Sequence, residues 1–101
     1  MSDEKIIVQV DPDLEELIPG FLENRISDVG KLRTSLDEND FVNIQSIGHS
    51  TKGVGGGYGF DLMSEIGAEI EFAAKAKDSD TIGEKINQLD DYLQRIEIEY
   101  A

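Results

Sequence analysis

The 101-residue chain has no cysteine, no tryptophan, two prolines and a single histidine. Without cysteine there is no disulfide framework, no thiolate nucleophile and no thiolate metal site. One histidine falls short of the usual zinc ligand set, and carboxylates alone would favour a hard ion such as magnesium or calcium, so no bound metal or cofactor is expected. Cations are scarce too: nine Lys and Arg stand against 22 Asp and Glu, for a formal net charge of −13 and a pI near 4.2. Such a surface repels nucleic acid and anionic membranes and leaves a basic or mixed protein surface as the expected partner. No apolar run is long enough to span a membrane. The first residues lack the basic region and continuous apolar stretch of a signal peptide, so the expected location is cytoplasmic.

What remains is enough Leu, Ile, Val and Phe, regularly spaced, for one domain over residues 1–101 with a single modest core. Lys5–Val10 is β-branched and partly alternating, which predicts a short extended segment. Asp11-Pro12 supplies a cap and a proline at the first helical position, and Pro19-Gly20 ends that short helix near Ile18. A longer helix is expected over 20–37, with Phe21, Val29, Leu32 and Leu36 on one stripe and Leu22 and Ile26 widening it toward a neighbour. Gly30 costs that helix about 1 kcal/mol against alanine, so it is expected to mark close contact with another helix. Residues 37–40 are a tight connection in which Asp40 can cap the next element.

Further on, Leu62, Met63, Ile66, Ile70, Ala73 and Ala74 predict a helix over 62–77, with Phe60-Asp61 as a staple residue followed by a capping aspartate. Asp78-Ser79-Asp80 interrupts the pattern. Thr81 and Glu84 have capping-box spacing, and Ile82, Ile86, Leu89, Leu93 and Ile96 form the next stripe. From Arg95 to Tyr100 the pattern turns to strict alternation, which fits either a ribbon with residues 5–10 or a frayed helix end. The expected fold is all-α, an antiparallel four-helix bundle with a short additional N-terminal helix docked against its end.

The segment from Gly48 to Phe60 carries the lone histidine, His49, among glycines at 48, 53, 55, 56, 57 and 59. Propensity alone places a loop beyond Lys52. Periodicity disagrees. Phe41, Ile44, Gly48, Thr51, Gly55 and Tyr58 cluster on one side of a helix, flanked by Ile47 and Val54, so the apolar stripe runs straight through the glycines. Tertiary packing can hold such a poor helix former. His49 then lies roughly 150° from the stripe and faces solvent. Lys52 is one turn on and within about 60° of it, Gly53 and Gly56 fall within about 40°, and Val42 is an apolar residue two turns earlier on the same side. A lone surface histidine usually has no role, but glycines that strip the helix around it are costly and need a reason. A phosphate-binding loop does not fit, because Lys52 is followed by Gly53 and not by a hydroxyl, and no strand precedes the segment. A dinucleotide fingerprint after a strand is absent as well.

With His49, Ser50, Lys52, Gly53 and Gly59 at these spacings, and small residues filling Val54–Gly57, the chain resembles the histidine-containing phosphotransfer (HPt) domain family of two-component phosphorelays. Phe21-Leu22-Glu23 and the spacing of Leu62, Glu65 and Glu71 fit that family's neighbouring helices, so the resemblance covers roughly residues 12–95. Thr51 departs from the usual leucine; an inward hydroxyl there must bond back to the helix or bear a desolvation cost. The glycine triplet 55–57 is more extreme than the common pattern, and the tails Lys5–Val10 and Glu97–Tyr100 have no counterpart in the family core.

The resemblance implies that His49 accepts and donates a phosphoryl group through Nε2, in exchange with aspartates of response-regulator receiver domains. Lys52 would offset charge, and Gly53 and Gly56 would give the receiver clearance. Val42, Gln45, Ser46 and Lys52 would set partner preference. It implies magnesium on the partner receiver and none bound by this chain. The chain would be a monomeric carrier, not an autonomous kinase, with a receiver or a hybrid sensor histidine kinase as partner. The alternative is a non-catalytic bundle that binds and regulates a kinase or receiver. A bundle that closes a kinase dimer is disfavoured, because it needs an attached ATPase domain.

Overall fold

The computed structural model describes residues 4–101, in the order β1 (Ile6–Val10), a single 3-10 turn (Pro12–Leu14), α1 (Ile18–Asp37), α2 (Phe41–Gly57), α3 (Asp61–Lys75), α4 (Ser79–Arg95) and β2 (Ile96–Tyr100). Side-chain pairs show that each helix runs antiparallel to the next. Asn43 Nδ2 donates to Ser35 Oγ at 2.7 Å and Tyr58 stacks on Phe21, which sets α2 against α1. Lys85 meets Glu69 at 2.9 Å, which sets α4 against α3, and burial, with the Asp61 charge adding to it, pushes the Tyr92 hydroxyl up to about 12. Arg33 reaches Asn87 and Asp90 and closes the bundle between α1 and α4. This is the expected four-helix bundle. None of its described helices is long and apolar enough to cross a membrane.

Local chemistry explains most boundaries and corrects several. Asp11 caps the N-terminal turn by accepting from Asp13 N–H at 2.9 Å, but the expected short helix is only the three-residue turn Pro12–Leu14. Pro19-Gly20 does not end that helix. It lies in the first turn of α1, where proline's missing N–H has no partner to lose. Asp40 caps α2 through Asn43 N–H at 3.1 Å, as expected. Phe60 itself is the capping position of α3, and Asp61 is its first residue and makes no capping bond. At α4 the cap is Asp78, which accepts from both the backbone and the hydroxyl of Thr81, in place of the expected Thr81–Glu84 box. The Thr81 hydroxyl, followed by its backbone N–H, holds the Asp78 carboxyl below the ordinary aspartate value of 3.8.

The core is formed by Ile18, Phe21, Val29 and Leu32 of α1, Ile44 of α2, Phe60 with Met63, Ile66 and Ile70 of α3, and Ile82, Ile86, Leu89 and Tyr92 of α4. Tyr92 takes the buried place expected of Leu93, which is only half-buried. Ile26, expected to face a neighbour, is 58% exposed. Gly30 also overturns its expectation: a Cβ built there meets nothing within 4 Å. Its cost to α1 is therefore uncompensated, and Gly30→Ala should stabilise the fold by about 1 kcal/mol. On a domain of this size that raises the melting temperature by roughly 4–8 °C; an unchanged or lower value in thermal denaturation would refute the reading.

The terminal segments do pair. β1 and β2 run parallel in register from Ile6 opposite Ile96 to Val10 opposite Tyr100, with the whole bundle as their crossover. Ile6, Val8, Ile96 and Ile98 pack onto the core, while Gln9, Glu97 and Glu99 face out. Ala101 N–H donates to Val10 O, and Arg95 Nε donates to Glu4 O at 2.9 Å, so the clip extends past both strands.

Candidate functional site

α2 continues as helix through Gly53, Gly55, Gly56 and Gly57, and its glycines divide by position. Gly48 and Gly55 are buried against α3. A Cβ on Gly48 would stand 2.8 Å from the Glu71 backbone nitrogen and 2.9 Å from the Gly67 carbonyl; one on Gly55 would stand 2.9 Å from the Ser64 nitrogen. Across the contact, a Cβ on Gly67 would meet the Lys52 nitrogen at 2.6 Å. The helices therefore touch backbone to backbone. That close packing compensates the poor helix propensity of the segment. Beyond it, Phe21 stacks on Tyr58 at 4.5 Å and Phe60 at 5.1 Å, which pins the end of the glycine run. The chain turns there at Gly59, whose φ of +90° suits glycine.

Thr51 is 1% exposed, and its hydroxyl donates to Ile47 O at 2.9 Å, the back-bond expected of an inward threonine. Ser64 Oγ of α3 donates to Lys52 O at 2.8 Å and fixes this turn of α2 from the other side.

His49 stands on the opposite face with its side chain 73% exposed, as the helical reading required. One side-chain contact orients its ring. Nδ1 lies 3.0 Å from Oε2 of Glu71 on α3, and Lys75 Nζ lies 4.0 Å from the same oxygen. An ionised carboxylate only accepts, so the neutral ring that makes this bond carries its proton on Nδ1 and leaves the Nε2 lone pair free. A nucleophilic nitrogen held by a carboxylate behind it and open in front is the arrangement that in-line attack on an electrophile requires. Glu71 contributed only its spacing to the sequence reading. Its contact with His49 crosses from α3 to α2, and a single stripe pattern carries no signal for it.

The remaining expected residues fall into two groups. Val42, Gln45 and Ser46 share one shallow hollow with His49 and Glu71, on the N-terminal side of the ring. This is the direction helix side chains lean. Lys52, Gly53 and Gly56 lie outside that hollow. Among the described residues the Lys52 ammonium has no ion pair, and a Cβ on Gly53 would meet nothing within 4 Å. Gly56 is less bare than expected, since a Cβ there would be 3.5 Å from Ser64 Oγ. No group of three His, Cys, Asp or Glu side chains among the described residues is gathered to hold a metal ion.

A model of the Hpt domain family matches residues 16–99, which takes in all four helices and most of β2. No curated protein and no solved structure matches the chain.

Proposed function

Because the chain belongs to the Hpt domain family, whose general function is histidine phosphotransfer with receiver and histidine-kinase domains, we propose that His49 is the residue that carries the phosphoryl group. The observation that carries this reading is that the chain's one histidine is exposed on α2 with Nδ1 engaged by Glu71. In the forward step Nε2 attacks the phosphorus of an aspartyl phosphate on the receiver. The new N–P bond forms as the P–O bond to aspartate breaks, and the electron pair leaves with the carboxylate. Glu71 keeps its hydrogen bond to Nδ1–H throughout and offsets the positive charge that develops on the ring. Lys52, on the same face one turn away, offsets charge on the phosphoryl oxygens.

Val42, Gln45 and Ser46 supply the surface that the receiver meets first, and Gly53 and Gly56 keep the following turns low. Any magnesium the transfer requires is held by the receiver's own carboxylates. In the same reading the chain is one domain over residues 1–101, acts as a cytoplasmic monomer, and is a substrate and carrier without kinase activity of its own.

Incubation with a phosphorylated receiver should place an acid-labile, alkali-stable phosphate on His49, located by peptide mass spectrometry. A phosphate with acyl or ester stability, or one on another residue, would reject the assignment. Stable binding of the receiver with no phosphate transferred would leave a regulatory binding module in its place.

A further inference from the structure

We propose that Phe72 is a docking anchor for the receiver domain that exchanges phosphate with His49, an inference that rests on the assignment of His49. Phe72 is 76% exposed in the last turn of α3, and only Val42, at 80%, is a more exposed large apolar residue among those described. They stand on the two helices that meet at the histidine, Val42 on α2 and Phe72 on α3. Val42 lines its hollow from α2. Phe72 directly follows Glu71, whose carboxylate holds His49 and whose backbone nitrogen abuts Gly48. Ala68 and Ala76, one helical turn to either side, leave the Phe72 ring standing clear above a shallow groove that runs to Thr81 and Lys85 of α4.

Size makes this crest part of any productive complex. A standard interface covers about 800 Å² on each partner, a disc of roughly 16 Å radius. Packed helix axes are about 8–10 Å apart, so a protein seated over His49 also covers the outer face of α3. Interface energy concentrates in a few aromatic anchors, and Phe72 is the one aromatic exposed there.

Charge selects the occupant. Lys52 on α2 and Lys75 on α3 lie either side of His49 in a chain of net charge −13. They suit the acidic surround of a phospho-accepting aspartate, whereas a second copy would bring −13 against −13.

The test measures transfer to this chain from the phosphorylated receiver of its own genome that labels the wild type fastest. Phosphoramidate labelling of the wild type at His49 is run in parallel. Phe72→Ala should raise KM about tenfold with kcat at saturation retained, and Phe72→Leu should recover most of that loss. Ile26→Ala, which removes an exposed apolar residue on α1, should match the wild type. An unchanged KM for Phe72→Ala overturns the proposal and leaves His49 standing. So does labelling by phosphoramidate with no transfer from any receiver. A concentration-dependent increase in mass by light scattering that Phe72→Ala abolishes also overturns it, by assigning the crest to a second copy. Failure of both donors to label His49 removes the reading beneath it.

Discussion

His49→Gln should abolish phosphoryl acceptance, with labelling by a phosphorylated receiver down by at least about 10³-fold, while the helical circular dichroism stays that of the parent. The loss is expected to be complete because the chain offers no second imidazole, and a glutamine amide has no lone pair able to take its place. The fold should survive because the ring is 73% exposed and makes one hydrogen bond, to Glu71. A contact so open to solvent contributes no more than about 1 kcal/mol. Equal labelling of the variant and the parent would end the assignment of His49. A collapsed helical signal would show instead that the ring supports the bundle.

Gly67→Ala should be the most destabilising of the glycine-to-alanine substitutions. The added carbon would stand 2.6 Å from the Lys52 nitrogen, 2.9 Å from the Gly48 carbonyl and 3.0 Å from the Thr51 carbonyl carbon, all of them backbone atoms of α2. Backbone inside a helix cannot rotate aside as a long side chain can, so α2 and α3 must separate. Overpacking of this kind costs about 3 kcal/mol, which lowers the melting temperature by roughly 12 °C or more. The same substitution at Gly30 should act in the opposite direction, since nothing lies within 4 Å there. Thermal denaturation of the two variants side by side decides the matter, and equal shifts would mean that α2 and α3 do not touch. In Gly67→Ala the phosphotransfer rate should fall as well, because the Glu71 carboxylate is carried away from His49 Nδ1.

The contrast between Gly67 and Gly30 shows what helix propensity by itself leaves out. Both cost their helix about the same by propensity, but Gly67 falls on the buried stripe of α3 beside Met63, Ile70 and Ala74, whereas Gly30 falls off the stripe of Phe21, Val29, Leu32 and Leu36. One lies at a backbone contact and the other faces solvent. The expectation of a close contact at Gly30 fails because propensity weighs the residue alone, and a glycine on the solvent side of a helix costs as much as one at a contact. Pro19-Gly20 departs from expectation because its local sequence is ambiguous. The same pair can stop a helix or open one, and here the chain coming in from β1 reaches the bundle so that α1 begins at Ile18. The cap of α4 lies at Asp78, three residues before Thr81, since several polar residues in a row can each serve; at α3 Phe60 takes the cap position with no side-chain bond, its ring buried in the core.

The fold class, the continuation of α2 through its glycines and the exposure of His49 were determined by the order of residues alone. They follow from spacing within one element: an apolar stripe from Phe41 to Tyr58 leaves only one side for His49, whatever lies nearby. Tertiary structure decided that Glu71 holds the imidazole, that Gly48, Gly55 and Gly67 serve contact between helices, and that β1 and β2 pair in parallel. The physical reason is the range of the interactions. Propensity and amphipathicity act within a turn or two, whereas His49 meets Glu71 across 22 residues of sequence, at a register fixed only where the two glycine-faced backbones touch.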